Sequence, residues 1–175
     1  MRIVLIVVYS NYLFMVGSFM KIVIFRHGEA EERKPGQGDE ERRLTEKGRR
    51  DVEVVARALP WKPSKIYTSP LLRAVETAKI IASIHGVDVV VTDYLRPGQI
   101  SVENLLKLGV VDSAVLVGHA PSIESLVREL IGGGNIKLKA GSAVGIELTN
   151  ICRGCGALIF ILIPDALHKL ISANV

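Results

Sequence analysis

An arginine and a histidine, Arg26 and His27, end the apolar run in "KIVIFRHGEA". A second arginine, Arg73, lies in "TSPLLRAVETA", and a second histidine, His119, follows "VLVG". The planar fork of a guanidinium matches the oxygens of a phosphate in pairs. Two arginines and two histidines gathered in one crevice would repel each other unless something negative sat between them, and a phosphoryl group has the right charge and shape. The chemistry these residue types offer is therefore phosphate binding, provided the fold brings them together.

The elements that would do so follow from hydrophobic spacing. "KIVIF" reads as a strand covered on both faces. Thr45 can cap a helix whose Val52, Val55, Ala56 and Leu59 share one face, with Pro60 ending it. "KIYTS" is a second strand, and Ser69-Pro70 supplies a capping hydroxyl and a first-turn proline for a helix that Gly86 stops. "VDVVVT" gives a third strand, and Ser101 caps a short helix through Leu108. "SAVLVG" is a fourth strand, leading to His119 and a helix with Ile123, Leu126, Val127 and Leu130 on one face. "SAVGIELT" and "GALIFILI" form a closing hairpin. Alternating strands and helices imply an α/β sandwich, with a mostly parallel central sheet and an antiparallel edge hairpin.

Ligands of open α/β sheets bind beyond the carboxyl ends of the strands. Arg26 and His27 follow the first strand, Ser69 to Arg73 the second, and His119 the fourth. The amides that open the helix after His119, at Ala120 and beyond, add partial positive charge there. Taken singly, each residue has an ordinary structural reading: Arg26 paired with Glu29, Arg73 paired with Glu76 one turn along, His119 satisfied at a helix start. Their arrival at three strand ends favours the pocket.

Composition narrows the classes. The 175 residues, 49% of them hydrophobic, suit one domain. A net charge of +4 favours anionic partners, but only 5% of residues are aromatic and the charges alternate in sign through "EERKPGQGDEERRLTEKGRR". That run reads as a solvated face, and nucleic acid is not an expected partner. Cys152 and Cys155 lack the second pair a structural zinc site needs. They read by default as small residues in a hairpin turn, with a disulfide or a redox role as the alternative.

Residues 1–19 are an apolar extension, with 18 uncharged residues from Ile3 to Met20. Polar and small residues dilute it, and a core strand begins directly at Lys21, so a membrane span is not expected. The functional domain is placed at residues 20–175. Sparse cysteines and no evident export signal point to the cytoplasm. The oligomeric state is not encoded in these patterns.

"RHGEA", "LTEKGRRDVEVVARAL", "TSPLLRAVETA" and "VLVGHAPSIESL", in this order, resemble the successive motifs of the histidine phosphatase superfamily, in its short phosphohistidine-phosphatase-like branch. The resemblance covers Lys21 to about Leu130 and implies a phosphoglycerate mutase-like fold. It also implies that His27 is a nucleophile forming a phosphohistidine enzyme that water then hydrolyses. Arg26, Arg73 and His119 would bind the phosphoryl oxygens, and Gly28 would let backbone approach and hold the imidazole. No metal and no cofactor are expected, since fixed cations take the place of magnesium.

The mutase-like branch carries a glutamate acid after the third strand, where this sequence reads "TDYLRPGQ". Without that acid an alkoxide leaves poorly, whereas transfer from one imidazole to another needs less help. Asp93, Glu29 and Glu103 are the remaining candidates, each also readable as a surface carboxylate. The expected substrate is phosphohistidine in proteins. Small phosphate esters are the alternative, and a non-catalytic phosphate-binding module is the alternative of another class.

Overall fold

The computed structural model describes residues 19–173. The apolar extension read at residues 1–19 falls, up to residue 18, outside that range. Six strands make one sheet: β1 (Met20–Arg26), β2 (Lys65–Thr68), β3 (Val89–Val91), β4 (Ala114–Gly118), β5 (Ala143–Leu148) and β6 (Gly156–Leu162). Their order is β3-β2-β4-β1-β5-β6, parallel from β3 to β1 and antiparallel at β5 and β6. Five helices accompany them: α1 (Glu46–Arg57), α2 (Leu72–His85), α3 (Val102–Leu108), α4 (Ser122–Ile131) and α5 (Pro164–Ser172). This is the expected three-layer α/β sandwich with an antiparallel edge hairpin.

Alternation along β1 divides the core. Ile22 and Ile24 face one side with Leu105 of α3 and Leu126, Val127 and Leu130 of α4. Val23 and Phe25 face the other with Val52, Val55 and Ala56 of α1 and Ala74, Ala78 and Ile81 of α2. Both faces of β1 are therefore covered, which is why it contains no polar residue between Lys21 and Arg26. Burying such aliphatic side chains contributes about 1.5–3 kcal/mol each. Helix starts follow the expected hydroxyls at Thr45, whose Oγ1 accepts from the Gly48 amide at 2.9 Å, and at Ser101, which accepts from Asn104 at 3.1 Å.

Three readings change. Helix α1 ends at Arg57, with Ala58 as its C-cap, ahead of Pro60. Helix α2 starts at Leu72 with Leu71 as its N-cap, whose aliphatic side chain offers no acceptor, so Ser69 lies too far back to cap it. Cys152 and Cys155 do lie in the β5–β6 turn, but they are joined as a disulfide, so they are more than small turn residues. The C-terminal stretch forms α5 and packs on α1, where His168 Nε2 lies 2.8 Å from Asp51 Oδ1. No helix among the described residues is long and apolar enough to cross a membrane.

Candidate active site

The carboxyl ends of β1, β2 and β4 place the four expected residues together. At the end of β1, the His27 amide donates to Gly118 O at 3.1 Å and the Arg26 amide to Ser142 O at 2.9 Å, so the Arg-His-Gly segment is tied to its neighbours on both sides. Beneath it, α1 comes unusually close: a side chain on Gly48 would meet Glu29 O at 2.2 Å, and one on Gly28 would meet Gly48 O at 2.8 Å. Two glycines thus let the helix support the loop that carries His27.

His27 Nδ1 lies 2.8 Å from Gly28 O. A carbonyl only accepts, so this partner assigns the proton to Nδ1 and leaves Nε2 as the acceptor. Arg73 Nε donates to that Nε2 at 3.3 Å. The Gly28 amide donates to Thr77 Oγ1 at 3.1 Å, so Gly28 serves the site through its carbonyl. Burial chiefly pushes the His27 pKa down to about 4; the Gly28 carbonyl opposes this, and the charges of Arg73, Arg26 and Arg42 add to it. His27 is neutral at pH 7.

The His119 ring lies 4.9 Å from that of His27, centroid to centroid. Its Nε2 is 2.8 Å from Ser69 Oγ, while its Nδ1 is buried without a partner. Ser69 Oγ accepts from the Leu71 amide at 3.4 Å. A hydroxyl that accepts there can donate to Nε2, which would leave the His119 proton on Nδ1. Burial, then the neighbouring His27 and Arg73, holds the His119 pKa down at about 3. Arg26 donates through Nη1 to Leu138 O, and its Nε is also buried without a partner. Buried polar atoms without partners are rare, and these lie in a cluster richer in cations than anions. An anion with several acceptor oxygens, such as a phosphoryl group, would complement such a cluster. Ala120 lines an adjoining cavity of about 560 Å³ with Arg26, Lys137 and Lys139.

The other candidate carboxylates have partners of their own. Glu29 pairs with Lys47 and accepts from Thr45, Asp93 pairs with Arg96, and Glu103 pairs with Arg153. Arg73 does not pair with Glu76, which instead holds Arg49 at 2.9 Å and accepts from the Leu44 amide. Its partner is Asp39, from a 3₁₀ turn at Asp39–Glu41 inside the run that reads as a solvated face. Arg73 Nη1 donates to Asp39 O at 2.7 Å and Nη2 to Oδ2 at 2.9 Å; Arg42 Nη1 donates to Oδ1 at 3.1 Å. Those two arginines hold the Asp39 pKa below the usual carboxylate range, with the Arg42 hydrogen bond the larger cause. Nothing in an alternating charge run marks one carboxylate for this contact. Ser142 was also missed; its hydroxyl is buried and unpartnered beside Arg26. Among the described residues, no three His, Cys, Asp or Glu gather to share a metal ion.

Residues 22–99 match the model of the histidine phosphatase superfamily (branch 1). A probable phosphoglycerate mutase GpmB of Cronobacter sakazakii is 34% identical over 119 residues, 65% of this chain and 51% of its own length. An uncharacterised protein of Picosynechococcus is 32% identical over 140 residues, 73% of this chain and 85% of its own. The chain belongs to the histidine phosphatase superfamily. It spans about half the length of the mutase relative. The protein histidine phosphatase SixA, solved with tungstate, has the same fold, with a TM-score of 0.72 at 24% identity over 85% of this chain and 99% of that one. The matched segment includes Arg26, His27 and Arg73, and His119 lies beyond it.

Proposed function

We propose that this histidine phosphatase family member is a metal-independent phosphatase that works through a phosphohistidine on His27 and acts on phosphohistidine in proteins. The observation that carries the proposal is the tautomer of His27, whose Nδ1 proton is held by Gly28 O while Nε2 faces Arg73 Nε. The Nε2 lone pair attacks phosphorus, the bond from phosphorus to the substrate nitrogen breaks, and its electron pair leaves with the imidazole, which takes a proton from solvent. Water then attacks the same phosphorus, and the bond to Nε2 breaks to release phosphate and restore the neutral ring. Arg26, Arg73 and the His119 Nδ1 proton stabilise oxygens as charge moves between the in-line atoms.

The substrate preference rests on the carboxylates. Asp39 is the one that touches the arginine cluster, and its two arginines keep it ionised, so it is a poor proton donor at neutral pH. A leaving imidazole needs less acid help than an alkoxide. A small-ester phosphatase is the second reading, favoured by the likeness to a probable phosphoglycerate mutase. In a burst assay on the full chain with a phosphohistidine peptide, wild type should release phosphate and retain acid-labile label, and His27→Ala should do neither. Faster turnover of a phosphoserine peptide would transfer the assignment to esters. Binding without label or turnover would leave only a phosphate-binding module.

A further inference from the structure

Asp39 presents an apparent contradiction, a carboxylate resting on an arginine that should hold phosphate. The geometry of the guanidinium resolves it. Arg73 is 6% exposed, and its Nη1 and Nη2 are both directed at Asp39, at 2.7 Å to the carbonyl and 2.9 Å to Oδ2. Its Nε points the other way, to His27 Nε2 at 3.3 Å. The outer edge of the fork is thus committed to the protein, and the Nε side faces the nucleophile.

The turn that carries Asp39 is itself held from both flanks. Arg42 Nη1 grips the second carboxylate oxygen at 3.1 Å while Arg42 Nε donates to Glu31 O at 2.7 Å. Glu40, next to Asp39, pairs with Arg96 at 2.6 Å, from the segment that follows β3. A strap therefore runs from the Glu31 backbone carbonyl through Arg42 and Asp39 to Arg73, and is tied across through Glu40 to Arg96. Such a chain fixes a long side chain that would otherwise lose rotamer entropy on binding substrate.

We infer that Asp39 is a positioning residue, which fixes the outer edge of Arg73 so that its Nε edge is aimed at the phosphoryl group on His27. The inference rests on the proposed use of Arg73 as a phosphate ligand. In this role Asp39 donates no proton and does not leave when phosphate arrives. Arg42 supports it through the far oxygen, and the strap converts a flexible cation into a preorganised one.

Two measurements on Asp39→Ala and Asp39→Asn separate this role from its rivals. The first is binding of inorganic phosphate to the full-length protein, followed by NMR on the Arg73 Nε–H and by calorimetry. Asp39→Ala should weaken phosphate binding roughly 10-fold, as expected for loss of a hydrogen bond to a charged group, and should broaden the Arg73 signal. This needs no turnover, so it stands even if the phosphohistidine reading fails. Tighter phosphate binding by Asp39→Ala would make Asp39 a competitor of phosphate, and unchanged binding would make it a surface ion pair; either overturns the inference.

The second measurement is turnover. Asp39→Ala should lower kcat on the order of 10-fold to 100-fold with a smaller rise in KM, as for misplacement of a catalytic group. Asp39→Asn, which keeps an acceptor for one arginine, should recover part of that loss. Both variants should keep the wild-type pH profile. Loss of the basic limb in Asp39→Asn would instead identify a proton donor and refute positioning. Arg42→Ala, which leaves Asp39 in place, should reproduce a weaker version of the same defect; full wild-type kinetics there would cut Arg42 from the strap.

Discussion

The molecule holds two clusters in which histidine meets charged side chains, and they follow opposite electrostatic rules. At the strand ends, His27 and His119 are packed among Arg26, Arg73 and Arg42, with Asp39 as the touching carboxylate. Between α1 and α5, His168 lies on the buried Asp51, which also holds Lys47 at 2.6 Å. In the second cluster Asp51 is shared by His168 and Lys47, and Lys47 also reaches Glu29, so its carboxylates are partnered within the protein. The first leaves Arg26 Nε and His119 Nδ1 buried without partners. Unequal bookkeeping of charge, more than the presence of histidine, separates a binding site from a structural contact.

Arginine 73 is the point at which the comparison breaks most sharply. Arg73→Lys keeps the positive charge but loses the fork that spans Asp39 on one edge and His27 on the other. Turnover of phosphohistidine peptide should fall about 10²–10³-fold, as for loss of a preorganised oxyanion donor. The steady-state rate of the full chain measures this directly. If lysine sufficed, bare charge would account for the site, and the bidentate geometry would be incidental.

A second test asks whether the ring beside the cations is neutral. His27 has a folded pKa near 4, below the usual 6.5, so the unfolded chain binds the extra proton between these values. Stability should therefore fall as pH drops from about 6.5 towards 4 and be insensitive to this group at higher pH. The His27 ring nitrogens, followed by ¹⁵N NMR, should not titrate between pH 8 and about 5. Adding inorganic phosphate should move the midpoint upward, because an anion favours the imidazolium. A midpoint near 6.5 without phosphate would mean that burial does not control the ring.

The sequence made the first cluster legible because Arg26, His27 and His119 stand at strand ends and Arg73 opens the helix that follows the second strand. The apolar runs before Arg26 and His119, and the short strand before Ser69, locate those residues on one edge of the sheet whatever their loops do. Asp39 was not legible. It belongs to a loop of alternating charges, and its contact with Arg73 spans 34 positions with no periodicity to announce it. Ser69 shows a subtler limit: a hydroxyl before Pro70 has the pattern of a helix cap, yet tertiary geometry gives it to His119. The disulfide likewise depends on a turn bringing Cys152 and Cys155 to a Cα separation of 5.4 Å, which their spacing permits but does not require.

The smallest expected effect belongs to the compensated cluster. The His168 side chain is 43% exposed, and Asp51 retains Lys47 when His168 is removed. His168→Ala should therefore lower stability by only about 0–1 kcal/mol in urea unfolding, the range for an exposed ion pair, with kcat/KM unchanged. Removing Lys47 as well strips the buried carboxylate of both partners. The double variant His168→Ala, Lys47→Ala should then lose more than the sum of the single losses, since Asp51 is left buried without either. Strict additivity would show that water replaces the two side chains without penalty. A tenfold loss of kcat/KM in His168→Ala at unchanged stability would reach further, because it would couple α5 to the strand ends and remove the contrast between a closed set of charges and an open one.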